Sequence, residues 1–152
     1  GKSLLYGEML TREIKPMIDR EFRTRKGPGN TGLGGSSLGG LVSLEIGLRY
    51  SQVFGKLAIM SPSLWWDDEV MLRRVQALDG RLPLRIWLDM GLEEGERCVA
   101  DTRHMRDALE AKGWVEGIDL QHREYPGAGH TEAAWRARMG QVLQFLFPAV
   151  SV

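Results

Sequence analysis

The sequence has few of the residues from which metal centres and disulfide frameworks are built. Its 152 residues contain one cysteine, Cys98, and three histidines that are scattered along the chain. A lone cysteine excludes an intrachain disulfide and the usual cysteine-based zinc sites, and no H-x-x-x-H spacing occurs. The glycine-rich segment also lacks the Lys-Ser/Thr pair of a phosphate-binding loop. We therefore expect no metal and no cofactor.

The sequence has no excess of charge of either sign and no long apolar run. Twenty Lys and Arg residues balance twenty Asp and Glu residues, so no global field favours nucleic acid as a partner. A membrane-spanning helix needs about 20 consecutive apolar residues, which the sequence does not contain. The compartment stays open, because a single cysteine is compatible with reducing and oxidising surroundings.

The apolar residues alternate between short runs and helical spacing. The candidate strands are short and apolar: one that ends at Ser37, then 56–61, 84–91 and 119–125, the last with the alternation of an edge strand. The candidate helices are amphipathic or buried: 4–22, with a kink near Pro16, then 38–50, 68–78, 98–112 and 131–147. This alternation predicts βαβ units and a parallel sheet in one domain over residues 1–152.

The most informative short motif is Gly35-Ser36-Ser37-Leu38-Gly39, between a strand candidate and a strongly apolar helix. It fits the G-x-S-x-G pattern of a nucleophile elbow, whose sharp turn leaves no room for a Cβ at the flanking glycines and exposes the serine. The same turn places the Leu38 amide at a helix N-terminus, where it can stabilise an oxyanion. The alternative is a glycine-serine loop without chemistry.

A serine nucleophile needs a base, and the three histidines are the candidates. His104 lies in a charged helical pattern that is typical of a solvated residue. His122 lies in the alternating last strand, where a surface position is expected. His130 lies between that strand and the last helix, at the carboxyl end of a strand, where open α/β sheets place their sites. We predict His130 as the general base, rather than a turn or capping residue.

The acid that orients the histidine is expected after the third strand candidate, because hydrolases on such sheets follow the order serine, acid, histidine. Glu94 lies in the loop 91–95, which has the reach to orient an imidazole from behind. We predict Glu94 as the acid. Asp89, at the edge of the strand, and Glu93 remain the alternatives.

Five segments occur in a fixed order along nearly the whole chain: 34–40, 53–55, 61–66, 88–91 with the two glutamates that follow, and Gly129-His130 with Trp135. Together they resemble the putative esterase family, which includes esterase D-like, feruloyl-esterase-like and enterochelin-esterase-like α/β-hydrolases. The resemblance implies a parallel sheet flanked by helices and a carboxylic-ester hydrolase with catalytic positions at Ser37, Glu94 and His130. An acyl-transferring, weakly active or binding relative is the alternative.

The resemblance also implies further strands before the helix that begins near Leu4, and a loop there that donates a second oxyanion amide. We therefore expect the chain to be the C-terminal portion of such a domain, without its N-terminal strands. An uncovered sheet edge favours self-association, so we expect a homo-oligomer that acts on a small-molecule ester. Trp65 and Trp66 are candidates for an aromatic wall of the substrate site, with rim packing as the alternative.

Overall fold

The computed structural model describes residues 2–149 and contains one sheet of four parallel strands in the order β1-β2-β3-β4. The strands are β1 (Gly32–Ser36), β2 (Lys56–Met60), β3 (Arg85–Gly91) and β4 (Leu120–Tyr125). Neighbours in the sheet are also neighbours along the chain, and each parallel pair is joined by a crossover that contains a helix. The predicted parallel sheet is confirmed, and β4 lies at its edge as the alternation indicated.

Six α-helices lie within residues 2–149: α1 (Ser3–Met9), α2 (Lys15–Glu21), α3 (Leu38–Arg49), α4 (Val70–Gln76), α5 (Glu96–Ala111) and α6 (Glu132–Leu146). A π-helical segment, Leu10–Ile14, joins α1 to α2. The irregularity predicted near Pro16 therefore lies just before it, because a proline has no N–H to continue the helical pattern. None of the described helices combines the length and the apolar character needed to cross a membrane.

The two faces of the sheet pack against different helices, because successive side chains of a strand point in opposite directions. The main core lies under α3, α4 and α5, and its almost fully buried strand residues are Leu57, Ile59, Ile86, Leu88 and Leu120. The opposite face packs against α6 through a smaller cluster of Met60, Trp87, Val142 and Leu146. Cover on both faces explains why the central strands β2 and β3 are mostly apolar, apart from Lys56 and Arg85 at their first positions and Asp89 within β3.

The carboxyl ends of the parallel strands lie at one edge of the sheet. Ser37 follows β1, Ser61 follows β2, Glu94 follows β3, and His130 follows β4. Loops at this edge are therefore neighbours in space although they are distant in sequence. The fold joins Ser37 to His130 across 93 positions in this way.

Candidate active site

Ser37 occupies a strained turn between β1 and α3, with φ of 59° and ψ of −126°. A residue other than glycine pays roughly 1–3 kcal/mol for such a conformation. The backbone holds it with four hydrogen bonds. Its N–H donates to the carbonyls of Met60 and Ser61, at 3.1 and 3.2 Å, and its carbonyl accepts from the amides of Leu41 and Ser63, at 3.1 and 3.2 Å. The turn is therefore fixed by the strand and loop beside it.

The glycines on either side of Ser37 have different steric surroundings. A Cβ at Gly35 would lie 2.7 Å from the backbone carbon of Gly39, so only glycine fits at position 35. A Cβ at Gly39 would meet nothing within 4 Å. The expectation that both flanks lack room is therefore wrong for Gly39, which faces open space in the first turn of α3. The tight position is instead Gly40, where a Cβ would lie 3.1 Å from the Met60 carbonyl oxygen.

The structure brings Ser37, His130 and Glu94 into one hydrogen-bonded chain. Nε2 of His130 lies 2.9 Å from Oγ of Ser37, and Nδ1 of His130 lies 2.5 Å from Oε2 of Glu94. The His130 side chain is 47% exposed, whereas that of Glu94 is 2% exposed. Thr131 caps α6 by accepting a hydrogen bond from the Ala134 amide at 3.2 Å, which fixes the loop that carries His130.

The other candidate acids and bases lie elsewhere. Asp89 is fully buried and accepts hydrogen bonds from the Trp87 indole and the Ser61 amide. His104 is exposed on α5, as expected. His122 is 9% exposed, so its predicted surface position is wrong; α5 covers that face of β4, and burial lowers the pKa of His122. Within residues 2–149, no three acidic, cysteine or histidine side chains form a metal-binding group.

The loops that carry Glu94 and His130 are in close backbone contact at Gly91. Its N–H donates to Oε1 of Glu94 at 2.9 Å. A Cβ at Gly91 would overlap the Ala128 carbonyl oxygen and would lie 2.7 Å from Oε1 of Glu94. The same Ala128 carbonyl accepts a hydrogen bond from the Glu93 amide at 3.1 Å. The backbone thus sets the spacing between Glu94 and the loop before His130.

A polar cluster packs against Glu94 that the sequence pattern did not predict. Oγ of Ser61 lies 2.6 Å from Oε1 of Glu94, 3.0 Å from Nε1 of Trp135 and 2.6 Å from Nη2 of Arg138. Arg138 is 2% exposed. One signal could have found it: Arg138 shares a line of i, i+4 spacing on α6 with the buried residues Val142 and Leu146, where an apolar residue is the rule.

Trp65 and Trp66 follow β2 on the loop that begins at Ser61. They are 44% and 49% exposed, and their ring centroids lie 6.0 Å apart. The loop starts beside the nucleophile, because Oγ of Ser63 lies 3.4 Å from Oγ of Ser37. Two adjacent exposed indoles form an apolar surface of the kind that ligands and partners contact.

The fold and the relatives place the chain in a known class. An enterobactin esterase from Shigella flexneri, solved in the presence of 2,3-dihydroxy-N-benzoyl-glycine, superposes with a TM-score of 0.83 at 24% identity over 93% of this chain and 38% of its own. The architecture is thus the α/β-hydrolase fold. The model of the Esterase family, described as putative esterase, matches residues 1–146. The chain belongs to this family.

Two curated bacterial proteins are similar in sequence. The uncharacterized protein YbbA of Bacillus subtilis is 28% identical over 123 residues, which are 76% of this chain and 49% of YbbA. The iron(III) enterobactin esterase of Dickeya dadantii is 29% identical over 140 residues, which are 82% of this chain and 31% of that protein. The chain spans less than half the length of each of these relatives.

Proposed function

We propose that this chain carries the active site of a serine hydrolase that cleaves carboxylic esters through an acyl-enzyme on Ser37. The observation that carries the proposal is the continuous chain of hydrogen bonds from Glu94 through His130 to Ser37. Membership of the putative esterase family supports the choice of an ester as substrate. The strained, firmly held turn at Ser37 is the conformation that a nucleophile elbow needs.

Each of the three side chains has one step to perform. Nε2 of His130 accepts the Ser37 proton while Oγ attacks the ester carbonyl carbon, and the carbonyl oxygen becomes an oxyanion. Glu94 holds Nδ1–H and stabilises the imidazolium that forms. The Leu38 amide, in the first turn of α3, lies among the helix N–H groups that have no intrahelical partner and donates to the oxyanion.

The first half of the reaction ends when the bond from the carbonyl carbon to the alcohol oxygen breaks and the imidazolium of His130 gives its proton to that oxygen; the acyl group stays on Ser37 as an ester. In the second half, water gives a proton to His130 and attacks the acyl carbon. The bond to Ser37 Oγ then breaks, His130 returns the proton to Oγ, and the acid leaves. If the acyl group passes to another acceptor instead, the same intermediate performs acyl transfer, so the chemical form of the released acyl group distinguishes the two.

Trp65 and Trp66 are proposed to contact an aromatic group of the substrate. Both indoles are half-exposed and lie on the loop that passes the nucleophile at Ser63. The Shigella flexneri relative was solved with a compound that carries a benzoyl ring, and aromatic rings stack well on indoles. When Trp66 is replaced by Ala, kcat/KM for an aryl-acyl ester should therefore fall by a larger factor than kcat/KM for an alkyl-acyl ester.

Self-association is proposed to occur through β1, with a second copy of this chain as the partner. Within residues 2–149, β1 pairs only with β2, so its other edge offers unpaired N–H and C=O groups. An apolar groove of about 370 Å³ lies beside it, between β1 and α6, lined by exposed side chains that include Met139, Leu143 and Phe147.

A fluorophosphonate probe tests the nucleophile directly. We expect a single adduct on Ser37 by peptide mass spectrometry, none on Ser37→Ala, and a much slower reaction of His130→Ala, because Ser37 then has no base. Ser36→Ala is the matched control, since it removes the neighbouring hydroxyl and should keep the adduct. No adduct on the wild-type chain, or an adduct that survives in Ser37→Ala, would contradict the proposal.

A further inference from the structure

The Ser61 hydroxyl lies at the centre of the polar cluster below Glu94, and its hydrogen bonds have a forced direction. A serine hydroxyl has one proton to donate and two lone pairs that accept. The guanidinium of Arg138 and the indole of Trp135 are donors only, and both reach this oxygen, at 2.6 and 3.0 Å. Both lone pairs are then occupied. The proton of Ser61 must point at its remaining partner, Oε1 of Glu94, 2.6 Å away.

The direction of this bond passes along the chain to the nucleophile. Oε1 of Glu94 receives donors from Ser61 and from the Gly91 amide, so the carboxylate is held in one orientation. In that orientation Oε2 faces His130, 2.5 Å away, and accepts from Nδ1–H, because a carboxylate oxygen can only accept. A neutral histidine with its proton on Nδ1 has a bare Nε2. Nε2 faces the Ser37 hydroxyl at 2.9 Å and is ready to accept its proton.

Arg138 is placed to start this chain. Its Nη2 contacts Ser61 and also Oδ1 of Asp89 at 3.1 Å, and the side chains of Arg138 and Asp89 are 2% and 0% exposed. The guanidinium also lies over the Tyr125 ring, 4.9 Å from its centroid. Burial raises the pKa of Asp89 while Arg138 opposes that shift. The guanidinium is thus fixed between a carboxylate and an aromatic ring, with Nη2 aimed at Ser61.

Stability alone gives a poor account of this arginine. Among the described residues, neither Nε nor Nη1 of Arg138 has a hydrogen-bond partner, although both are buried. A buried ion pair such as Arg138–Asp89 is often no more stable than well-packed apolar residues of similar volume. Val142 and Leu146, on the same line of α6, show that apolar side chains fill this face elsewhere. A residue kept at such a cost is expected at a functional site.

We propose that Arg138 and Ser61 are positioning residues: Arg138, together with Trp135, orients the Ser61 hydroxyl toward Glu94. This bond holds the Glu94 carboxylate where its Oε2 accepts from Nδ1–H of His130, which keeps Nε2 facing the Ser37 proton. The inference rests on the proposed function of Ser37 and His130. Neither Arg138 nor Ser61 touches the reacting atoms; each acts through Glu94.

Ser61→Ala tests the proposal because it removes the relay and leaves the Arg138–Asp89 ion pair in place. We expect the rate constant for reaction of Ser37 with the fluorophosphonate to fall by roughly ten- to a hundredfold, by analogy with residues that orient a metal-binding side chain from behind. Ser43→Ala is the matched control, since Ser43 is a buried serine of α3 away from Glu94. A rate constant for Ser61→Ala within about twofold of the control would overturn the proposal.

Arg138→Met tests whether the arginine acts through Ser61. Two residues that act through one hydrogen bond give effects that do not multiply. We expect the double variant Ser61→Ala/Arg138→Met to react no more than about twofold slower than the slower single variant. The matched control is Arg136→Met, an exposed arginine of the same helix. Effects that multiply would refute the relay. Should Arg138→Met fail to fold because Asp89 loses its partner, Ser61→Ala by itself carries the test.

Nitrogen-15 NMR of the histidines gives a readout that needs no catalysis. We expect His130, identified by the loss of its signals in His130→Ala, to carry its proton on Nδ1 at alkaline pH with a far-downfield Hδ1 resonance. Ser61→Ala should loosen the Glu94 carboxylate and lengthen its hydrogen bond to Nδ1–H, so the Hδ1 resonance should move upfield and broaden, while Ser43→Ala and Arg136→Met keep it. An unchanged Hδ1 resonance in Ser61→Ala refutes the relay. If the Hδ1 resonance depends on Ser61 but Ser37 never reacts, the proposed function fails and the positioning role stands.

Discussion

Replacing Glu94 by Gln should move the proton of neutral His130 from Nδ1 to Nε2. Ser61 and the Gly91 amide both donate to Oε1, at 2.6 and 2.9 Å, so the carbonyl oxygen of a glutamine must take that place. Its NH₂ group then takes the place of Oε2, 2.5 Å from Nδ1 of His130, and donates to it. His130 responds by moving its proton to Nε2. Nε2 faces Ser37 at 2.9 Å and can no longer accept the serine proton.

The size of this effect follows from the loss of the base. An amide in place of the triad carboxylate lowers kcat about 10⁴-fold in the best-known case, with the geometry intact. We expect kcat for a p-nitrophenyl ester to fall by roughly 10³- to 10⁴-fold, which corresponds to about 4–5.5 kcal/mol of barrier. The melting temperature should change little, since the two side chains have the same shape.

Glu93→Gln is the matched control for this prediction. Glu93 is the adjacent residue, is exposed, and is the other glutamate that the sequence left as an alternative acid. Its replacement should leave kcat unchanged, because its side chain does not contact His130. A loss of less than about tenfold in Glu94→Gln, or an equal loss in Glu93→Gln, would refute the assignment of the acid.

Three further predictions concern stability and assembly. Burial, reinforced by the neighbouring Glu69 carboxylate, raises the pKa of Asp101, so the folded state disfavours its ionised form. Asp101→Asn should therefore have a higher Tm than the wild-type chain at neutral pH. The difference should disappear as the pH falls through the raised pKa and Asp101 becomes protonated. Gly35→Ala should lower the free energy of unfolding by about 1–3 kcal/mol through overpacking, whereas Gly39→Ala should be neutral or stabilising by up to about 1 kcal/mol; urea titration compares them. Light scattering at micromolar concentration should show a species larger than a monomer, and a clean monomer would refute self-association through β1.

Much of the fold was predictable because it depends on local pattern. The apolar runs at 56–61 and 84–91 and the helical spacing at 38–50 are set by the periods of strands and helices. The structure confirms all three as β2, β3 and α3, to within one residue at each end. The position of Ser37 was equally accessible, since Gly35 must lack a side chain wherever a strand turns this sharply into a helix. Gly39 was misjudged, because the motif does not show which way the first helical turn faces.

The sequence by itself determined a helix-flanked parallel sheet whose strands end in Ser37, the loop of Glu94 and the loop of His130, because strand direction sends those ends to one edge. The sequence predicted Glu94 with Glu93 and Asp89 as alternatives, and only the tertiary structure shows that Glu94 is the one of the three that meets His130, since that contact depends on distances between separate loops. The structure also revealed Arg138, which reaches Ser61 across 77 positions. Local periodicity carries no information about such a contact, because a buried charge is paired by residues that meet only after the chain has folded.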